Sequence, residues 1–221
     1  MGMDQILLRG SGIGLRFGRE EVLRDVNLSI RQGEKILLSG ENGAGKSTLL
    51  LVLAGVRKPE RGSLTLGEGL LISGRSGKRR RPGAVAYVPQ EPALMKGLTV
   101  ADNLSFWAQA AKLKKTERRQ QIAYLEDVLM LGSVMKKRVE RLSGGMQKRV
   151  NLAASLFGTP RLLLLDEAFA NVDAQSRDAI YELLTRYQQA GCSIVLVSHL
   201  DERAEAFADR KLTLEEGVLR E

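Results

Sequence analysis

The chain has a single cysteine, Cys192, and a single histidine, His199, among its 221 residues, which rules out a disulfide framework and a cysteine metal cluster. Cys192 stands just ahead of Ile194-Val195-Leu196-Val197 and reads as a small buried hydrophobe in a reducing cytoplasm. Apolar runs long enough to cross a bilayer, about eighteen residues, are absent. The opening MGMDQILLRG has no charged-then-apolar signal pattern, so neither a membrane span nor an export signal is expected. Aromatic residues are scarce at 5%, and none interleaves with the basic clusters Lys78 to Arg81, Lys112 to Lys115, Arg118-Arg119 or Lys136 to Arg138. The net charge of +8 therefore argues against single-stranded nucleic acid, which needs stacking platforms. Solvated helix faces and loops are the simplest reading of these clusters, with an anionic membrane surface second.

With 43% hydrophobic and 27% charged residues, the composition is that of a soluble globular protein with one sizeable core. Its most informative stretch is Gly40 to Thr48, GENGAGKST, between the apolar runs Ile36-Leu37-Leu38 and Leu49 to Leu53. The order is strand, glycine-rich turn, helix start. Gly40, Gly45, Lys46 and Ser47 meet the pattern G-x-x-x-x-G-K-[ST]. There, backbone amides cradle phosphates, the lysine reaches the β and γ phosphates, and the hydroxyl ligates Mg²⁺. A helix start behind the loop adds the positive end of its dipole. An ordinary turn needs no Lys-Ser pair at its end.

Residues 5 to 37 read as short antiparallel strands broken by Gly10, Gly12, Gly14, Gly18 and Gly33. Phe17, at one such edge, could stack on a flat ligand, although by itself it suggests hairpin or core packing. Gly55 should stop the helix after the loop, and Ser73 to Gly83 reads as an exposed basic loop. Ala84 to Val88 is strand-like and ends at Pro89-Gln90-Glu91-Pro92, which holds Gln90 at a rigid exit; alone, Gln90 would pass for a surface glutamine.

Between Thr99 and Arg138 the pattern becomes helical. Leu104, Trp107, Ala108 and Ala111 share one stripe, and Ile122, Leu125, Val128 and Leu129 another. Leu142-Ser143-Gly144-Gly145-Met146-Gln147 then opens a further helix with Ser143 as N-cap, a second helix start suited to an anion, though a plain cap explains it equally well. Leu162 to Leu165 show no polar alternation and read as a strand buried on both faces, ending in Asp166-Glu167. Two carboxylates there are costly to bury without a positive partner. In a phosphate-binding chain that partner is Mg²⁺ held by Asp166, which leaves Glu167 to orient or deprotonate the attacking water. His199 ends the last buried strand, Ser193 to Ser198, at the sheet edge where ligands of open α/β sheets bind. Asp201 to Arg210 reads as helix and Lys211 to Glu221 as a closing strand and turn.

Together these residues resemble the ATP-binding subunits of ABC transporters, from about residue 5 to the C-terminus. The deciding motif is LSGGMQKR around Ser143, followed at family-like spacing by LLLLDE. The resemblance implies an α/β P-loop NTPase fold with a mostly parallel sheet, an N-terminal antiparallel β region and an inserted α-helical subdomain. It implies one domain over 1–221, with 1–90 and 160–221 forming the nucleotide-binding core and 91–159 the helical part.

By the same resemblance Phe17 stacks on adenine, and Gly40, Asn42, Gly43, Ala44, Gly45, Lys46, Ser47 and Thr48 form the phosphate loop. Gln90 contacts Mg²⁺ with Ser47 and Asp166, and couples to a transport subunit. Ser143, Gly144 and Gly145 form the signature, Glu167 is the base, Asp173 lies in the loop that crosses the dimer interface, and His199 senses the γ phosphate. The implied cofactors are ATP and Mg²⁺. The implied partners are a membrane-spanning subunit and a second ATPase subunit, with the chain peripheral on the inner face of the cell membrane. A soluble relative acting on nucleic acid or ribosomes is the alternative, but such relatives usually carry paired ATPase domains, a long coiled coil or zinc cysteines, all lacking here. Ala168 stands where the family commonly has proline, Ala170-Asn171-Val172-Asp173 departs from the usual crossing loop, and Phe17 replaces tyrosine. Asp102 to Trp107 is most similar to small exporter-type ATPases, including those of drug, polysaccharide or haem export.

Overall fold

Two twelve-residue strands, β1 (Ile6–Phe17) and β2 (Glu20–Arg31), open the chain as a long antiparallel pair. The computed structural model describes residues 5–74, 77–80, 83–169, 172–198 and 202–221. The expected short strands are thus two long ones, because the glycines of β1 are absorbed without ending it. Pairing shifts register between Gly10 and Ile13, where Gly12 takes φ 61. Such bulges bend and twist a strand while its ladder continues.

β3 (Lys35–Ser39) leads through the glycine-rich loop into α1 (Lys46–Ala54), which Gly55 ends at φ 70, donating its amide to Val52. β4 (Arg61–Leu66) returns to pair with β1. The expected loop after it is instead a hairpin, β5 (Leu71–Gly74) with β6 (Gly77–Arg80), paired from Leu71–Arg80 to Gly74–Gly77. Basic composition suggested a loop, but strand pairing is made by backbone amides and carbonyls, which every residue here supplies whatever its charge.

β7 (Val85–Val88) precedes three helices, α2 (Val100–Ala110), α3 (Lys115–Val128) and α4 (Gly144–Ser155). Acidic residues sit at two of the helix starts: Asp102 pairs with the N-cap Thr99, and Glu117 accepts from the Lys114 amide at 3.0 Å. Both place negative charge at the positive end of a helix dipole. Then come β8 (Leu162–Asp166), α5 (Ala174–Gln189), β9 (Ser193–Val197), α6 (Glu202–Phe207), β10 (Arg210–Glu215) and β11 (Val218–Arg220).

The main sheet has the order β11-β10-β3-β9-β8-β7, parallel throughout except for β11. The expected closing strand and turn are present as β10, the turn at 216–217 and the added strand β11; β10 lies parallel against β3, from Arg210 opposite Ile36 to Thr213 opposite Ser39.

Alternation along these strands divides the core in two. Leu162 and Leu164 join Ile36, Leu38, Val195 and Val197 on the face covered by α1 and the antiparallel sheet. Leu163 and Leu165 join Leu37, Ile194 and Leu196 on the face covered by α2 to α5. All four leucines of β8 are fully buried, each contributing about 1.5–3 kcal/mol by leaving water. The helical block brings Leu104, Ala108, Leu125 and Leu129 into that second core, with Trp107, Ala111, Ile122 and Val128 at its margin. Cys192 is buried, and burial pushes its thiol up to about 12, in keeping with a packing role.

Candidate functional site

Parallel pairing turns the C-terminal ends of β3, β9, β8 and β7 to one edge of the sheet, so the loops that follow them converge there. The loop after β3 carries Gly40 at φ 142, Gly43 at φ 83 and Gly45 at φ 102, conformations open to glycine. Gly45 is the N-cap of α1 and offers no side chain, and the first turn holds no acidic residue. Among the described residues the leading amides of α1 thus have neither an intrahelical nor a capping side-chain partner, which makes them an anion site in waiting.

Lys46 is buried and folds back across the loop, its Nζ donating to the carbonyls of Gly40 at 2.8 Å and Glu41 at 2.7 Å. A cleft of about 360 Å³ opens over the loop, lined by Phe17, Val22, Asn42, Gly43, Gly45, Lys46, Ser47, Thr48, Gln90 and Glu167. Gly40 and Ala44 line a larger adjoining depression with Ser198 and Lys211, which meets the cleft at Asn42 and Gly43. Phe17 is 43% exposed at the cleft, with the Arg57 guanidinium 4.3 Å from its ring centre. An aromatic face left open to solvent next to a phosphate loop can accept a planar ring.

Asp166 ends β8 almost wholly buried; Tyr87 on the neighbouring β7 donates its hydroxyl to Oδ2 at 3.1 Å, while Oδ1 is buried without a hydrogen-bond partner. Burial pushes this carboxyl above the usual range, with the charge of Glu167 adding to the rise; the Ser47 and Tyr87 hydroxyls and the Lys46 charge pull against it. Tyr87 was not anticipated. Its only sequence signal is a phenol on the strand that turns out to pair with β8, two residues short of that strand's last carboxylate in register.

Because the folded carboxyl binds its proton more tightly than the unfolded chain does, the ionised group costs stability above the folded range, and that cost fades as pH falls toward about 4. Asp166→Asn in EDTA and without nucleotide should accordingly melt above the parent at about pH 8, the gap closing by about pH 4. A lower melting temperature at pH 8, read by differential scanning fluorimetry, would contradict the burial account.

Glu167 follows at φ 46, a left-handed conformation for a non-glycine residue. Its amide donates to the Val197 carbonyl at 3.1 Å, its own carbonyl accepts Lys148 Nζ at 3.0 Å, and Gln90 Nε2 donates to Oε2 at 2.8 Å. This bond places Gln90, the glutamine expected at the Mg²⁺ site, directly beside the Glu167 carboxylate.

Ser143 caps α4, its Oγ accepting the Met146 amide at 3.3 Å, and Gly144 and Gly145 form the first turn. Asp173 caps α5, accepting the Ser176 amide at 2.9 Å, and that bond holds its carboxyl below the usual range. Neither Ser143 to Gly145 nor Asp173 lines the cleft above the phosphate loop. His199 lies outside the described residues, as do Ala170 and Asn171 of the expected crossing loop.

This arrangement defines an α/β P-loop protein: a parallel sheet, a glycine-rich loop feeding a bare helix start, and a buried aspartate at the end of β8, one strand removed from β3. The chain belongs to the ABC transporter family, whose model matches residues 23–170.

The linearmycin resistance ATP-binding protein LnrL of Bacillus subtilis is 32% identical over 96% of this chain and 68% of its own length. The molybdate/tungstate import ATP-binding protein WtpC of Thermococcus kodakarensis is 37% identical over 87% of this chain and 57% of its own. Among such relatives this chain spans from 55% to 68% of their length. The solved ATP-binding subunit of an ABC transporter superposes with a TM-score of 0.85 at 26% identity, covering 97% of this chain and 88% of that one. A dimeric post-hydrolysis ATP-binding cassette bound to ADP and Pi shares the fold, with a TM-score of 0.83 at 24% identity over 97% of each chain.

Proposed function

We propose that this chain binds and hydrolyses ATP and thereby powers transport through a separate membrane-spanning subunit, working as one domain over residues 1–221. The observation that carries this reading is the single cleft lined by the phosphate loop, Phe17, Gln90 and Glu167. ATP lies with its adenine against Phe17 and its phosphates on Asn42 to Thr48, with Gly40 and Ala44 shaping the loop from behind. Lys46 exchanges its bonds to the neutral Gly40 and Glu41 carbonyls for bonds to phosphate oxygens, in which donor and acceptor are both charged.

The residues present suit Mg²⁺, a hard cation that takes one or two carboxylates plus substrate phosphates. Asp166 offers a buried, unpartnered Oδ1, and the Ser47 hydroxyl and the Gln90 amide oxygen complete the oxygen set. When bound, the ion neutralises charge on the β and γ oxygens. Glu167 orients and deprotonates the water that attacks the γ phosphate, and His199 contacts that phosphate. Ser143, Gly144 and Gly145, together with Asp173, serve the nucleotide of a second ATPase subunit. Their place away from this chain's own cleft supports that division. ATP then bridges two subunits, so binding closes the pair and hydrolysis reopens it.

No helix among the described residues is long and apolar enough to cross a membrane, which fits a chain held at the inner face of the cell membrane through its partner. The relatives reported above are named for linearmycin resistance or for molybdate/tungstate import, and neither is named for nucleic acid or ribosomes. The test has two arms. Purified chain with Mg²⁺ and ATP should release phosphate, and release should stop in EDTA. Affinity capture from solubilised membranes should bring down a polytopic membrane protein. Capture of ribosomes or DNA without one would overturn the transport reading.

A further inference from the structure

Helix α4 begins at Ser143 and carries two polar residues one turn apart, Lys148 and Asn151, that the roles above leave unused. Residues three apart share a helix face, and this face looks onto the cleft's two functional loops. Lys148 is half-buried and donates Nζ to the Glu167 carbonyl at 3.0 Å. Asn151, 3% exposed, spans the turn that holds Gln90: its Nδ2 donates to the Pro89 carbonyl at 3.3 Å and its Oδ1 accepts the Ala93 amide at 3.0 Å. Gln90 in turn donates to the Glu167 carboxylate at 2.8 Å. These contacts close a ring, from α4 through Lys148 to the backbone of Glu167, across its side chain to Gln90, and back through the Pro89 to Ala93 turn and Asn151 to α4.

We propose that Lys148 and Asn151 are positioning residues that tie the helix begun by Ser143 to the carboxylate of Glu167 and to Gln90 in the same chain. The inference rests on the reading of Glu167 as the base. The physical case starts from the Glu167 backbone, whose left-handed φ of 46 is unfavourable for a residue with a Cβ and persists only where its surroundings hold it. Two groups grip that peptide segment, the Val197 carbonyl on the amide and Lys148 on the carbonyl. An ammonium on a carbonyl is a charge-assisted bond, roughly twice as strong as a neutral one.

Asn151 matters for a different reason. The Pro89–Ala93 turn contains two prolines that donate no amide, so a buried side-chain amide satisfies a carbonyl and an amide that no strand pairs. The helix itself is anchored from outside this ring, since Arg149 donates to the Leu129 carbonyl at 3.1 Å at the end of α3. A displacement at the Ser143 end is then passed as a rigid-body movement to both the base and the glutamine. Movement at one end of α4 without movement at Glu167 would have to break the Lys148 bond.

The experiment compares Lys148→Met, which keeps the apolar stem and removes the donor, with Lys148→Arg, which keeps a donor, and with Asn151→Ala. Lys148→Met should lower kcat for ATP about tenfold, the worth of one lost positioned bond, with KM for ATP and Tm near the parent's. Lys148→Arg should recover most of the lost kcat. In the nucleotide-free protein, hydrogen exchange should quicken at the Glu167 amide in Lys148→Met and at the Ala93 amide in Asn151→Ala, with little change along α4 itself.

A merely structural role would instead lower Tm and leave kcat intact in the folded fraction, and that result overturns the proposal. If Asn151→Ala does not fold, the two Lys148 variants decide alone. Should Glu167→Gln retain full turnover, it is the base assignment that fails. If Glu167→Gln abolishes turnover while Lys148→Met keeps the parental kcat and exchange pattern, only the positioning proposal fails.

Discussion

Glu167→Gln is expected to reduce ATP turnover by about 10²- to 10⁴-fold, the contribution of a positioned general base, while nucleotide binding persists. The substitution is close to isosteric, so packing should be preserved. Its backbone bonds to the Val197 carbonyl and Lys148 Nζ are unaffected, and an amide oxygen can still accept from Gln90 Nε2. What disappears is the basic oxygen. With hydrolysis blocked, ATP stays in place, and a subunit pair closed by ATP should accumulate. Light scattering in Mg²⁺-ATP should show a dimer for the variant under conditions where the parent cycles back to monomer. Parental turnover in the variant would remove Glu167 from the role, and a variant that is inactive yet stays monomeric would remove ATP-driven closure.

The second large effect concerns the start of the phosphate loop. Gly40→Ala should cost about 3 kcal/mol of stability, the upper end of ordinary overpacking, and abolish nucleotide binding with it. A Cβ at Gly40 would lie 2.2 Å from the Leu214 carbonyl oxygen, at a φ of 142 that side-chain-bearing residues avoid. Relief is hard to find, because Leu214 lies on β10, which is held in register against β3 through Thr213 opposite Ser39 and against β11 through Leu219. The substitution therefore pushes two paired backbones apart at the point where the loop leaves the sheet. Gly43→Ala is the matched comparison: its φ is 83, but nothing lies within 4 Å of the added carbon, so it should lose less stability. Urea denaturation of the two variants checks this, and equal losses would mean that dihedral strain outweighs the clash.

Much of the site was legible because its signals are local. The strand-loop-helix context of Gly40 to Thr48, the Ser143 cap, the Gly55 stop and the unbroken leucines before Asp166 each depend on residues adjacent in the chain. The stripes through Leu104 and Leu125 were legible for the same reason, since helical periodicity is read over a few turns. What the sequence concealed involves partners far apart in it. Gly10 and Gly12 looked like strand breakers until β2 and β4 were seen on either side of β1 to carry the pairing across. The closing strand lies between β11 and β3, with Arg210 opposite Ile36, and no local pattern specifies a neighbour so distant in the chain. Tyr87, Lys148 and Asn151 carry no local signal of what they bond, even though Lys148 sits within LSGGMQKR, because their partners Asp166, Glu167 and Pro89 are chosen by packing.

By itself, then, the sequence determined the chemistry: a glycine loop for phosphate, a carboxylate pair after a doubly buried strand, and two helix starts ready for anions. Backbone conformation and side-chain type at short range are enough for that. Only the tertiary structure decided which of these share a cleft. Phe17, the phosphate loop, Gln90 and Glu167 line one space, while Ser143 to Gly145 and Asp173 do not enter it. The physical reason is that strand order and helix packing are settled by burying apolar faces such as those of Leu162 to Leu165, and the polar loops go wherever that burial leaves them.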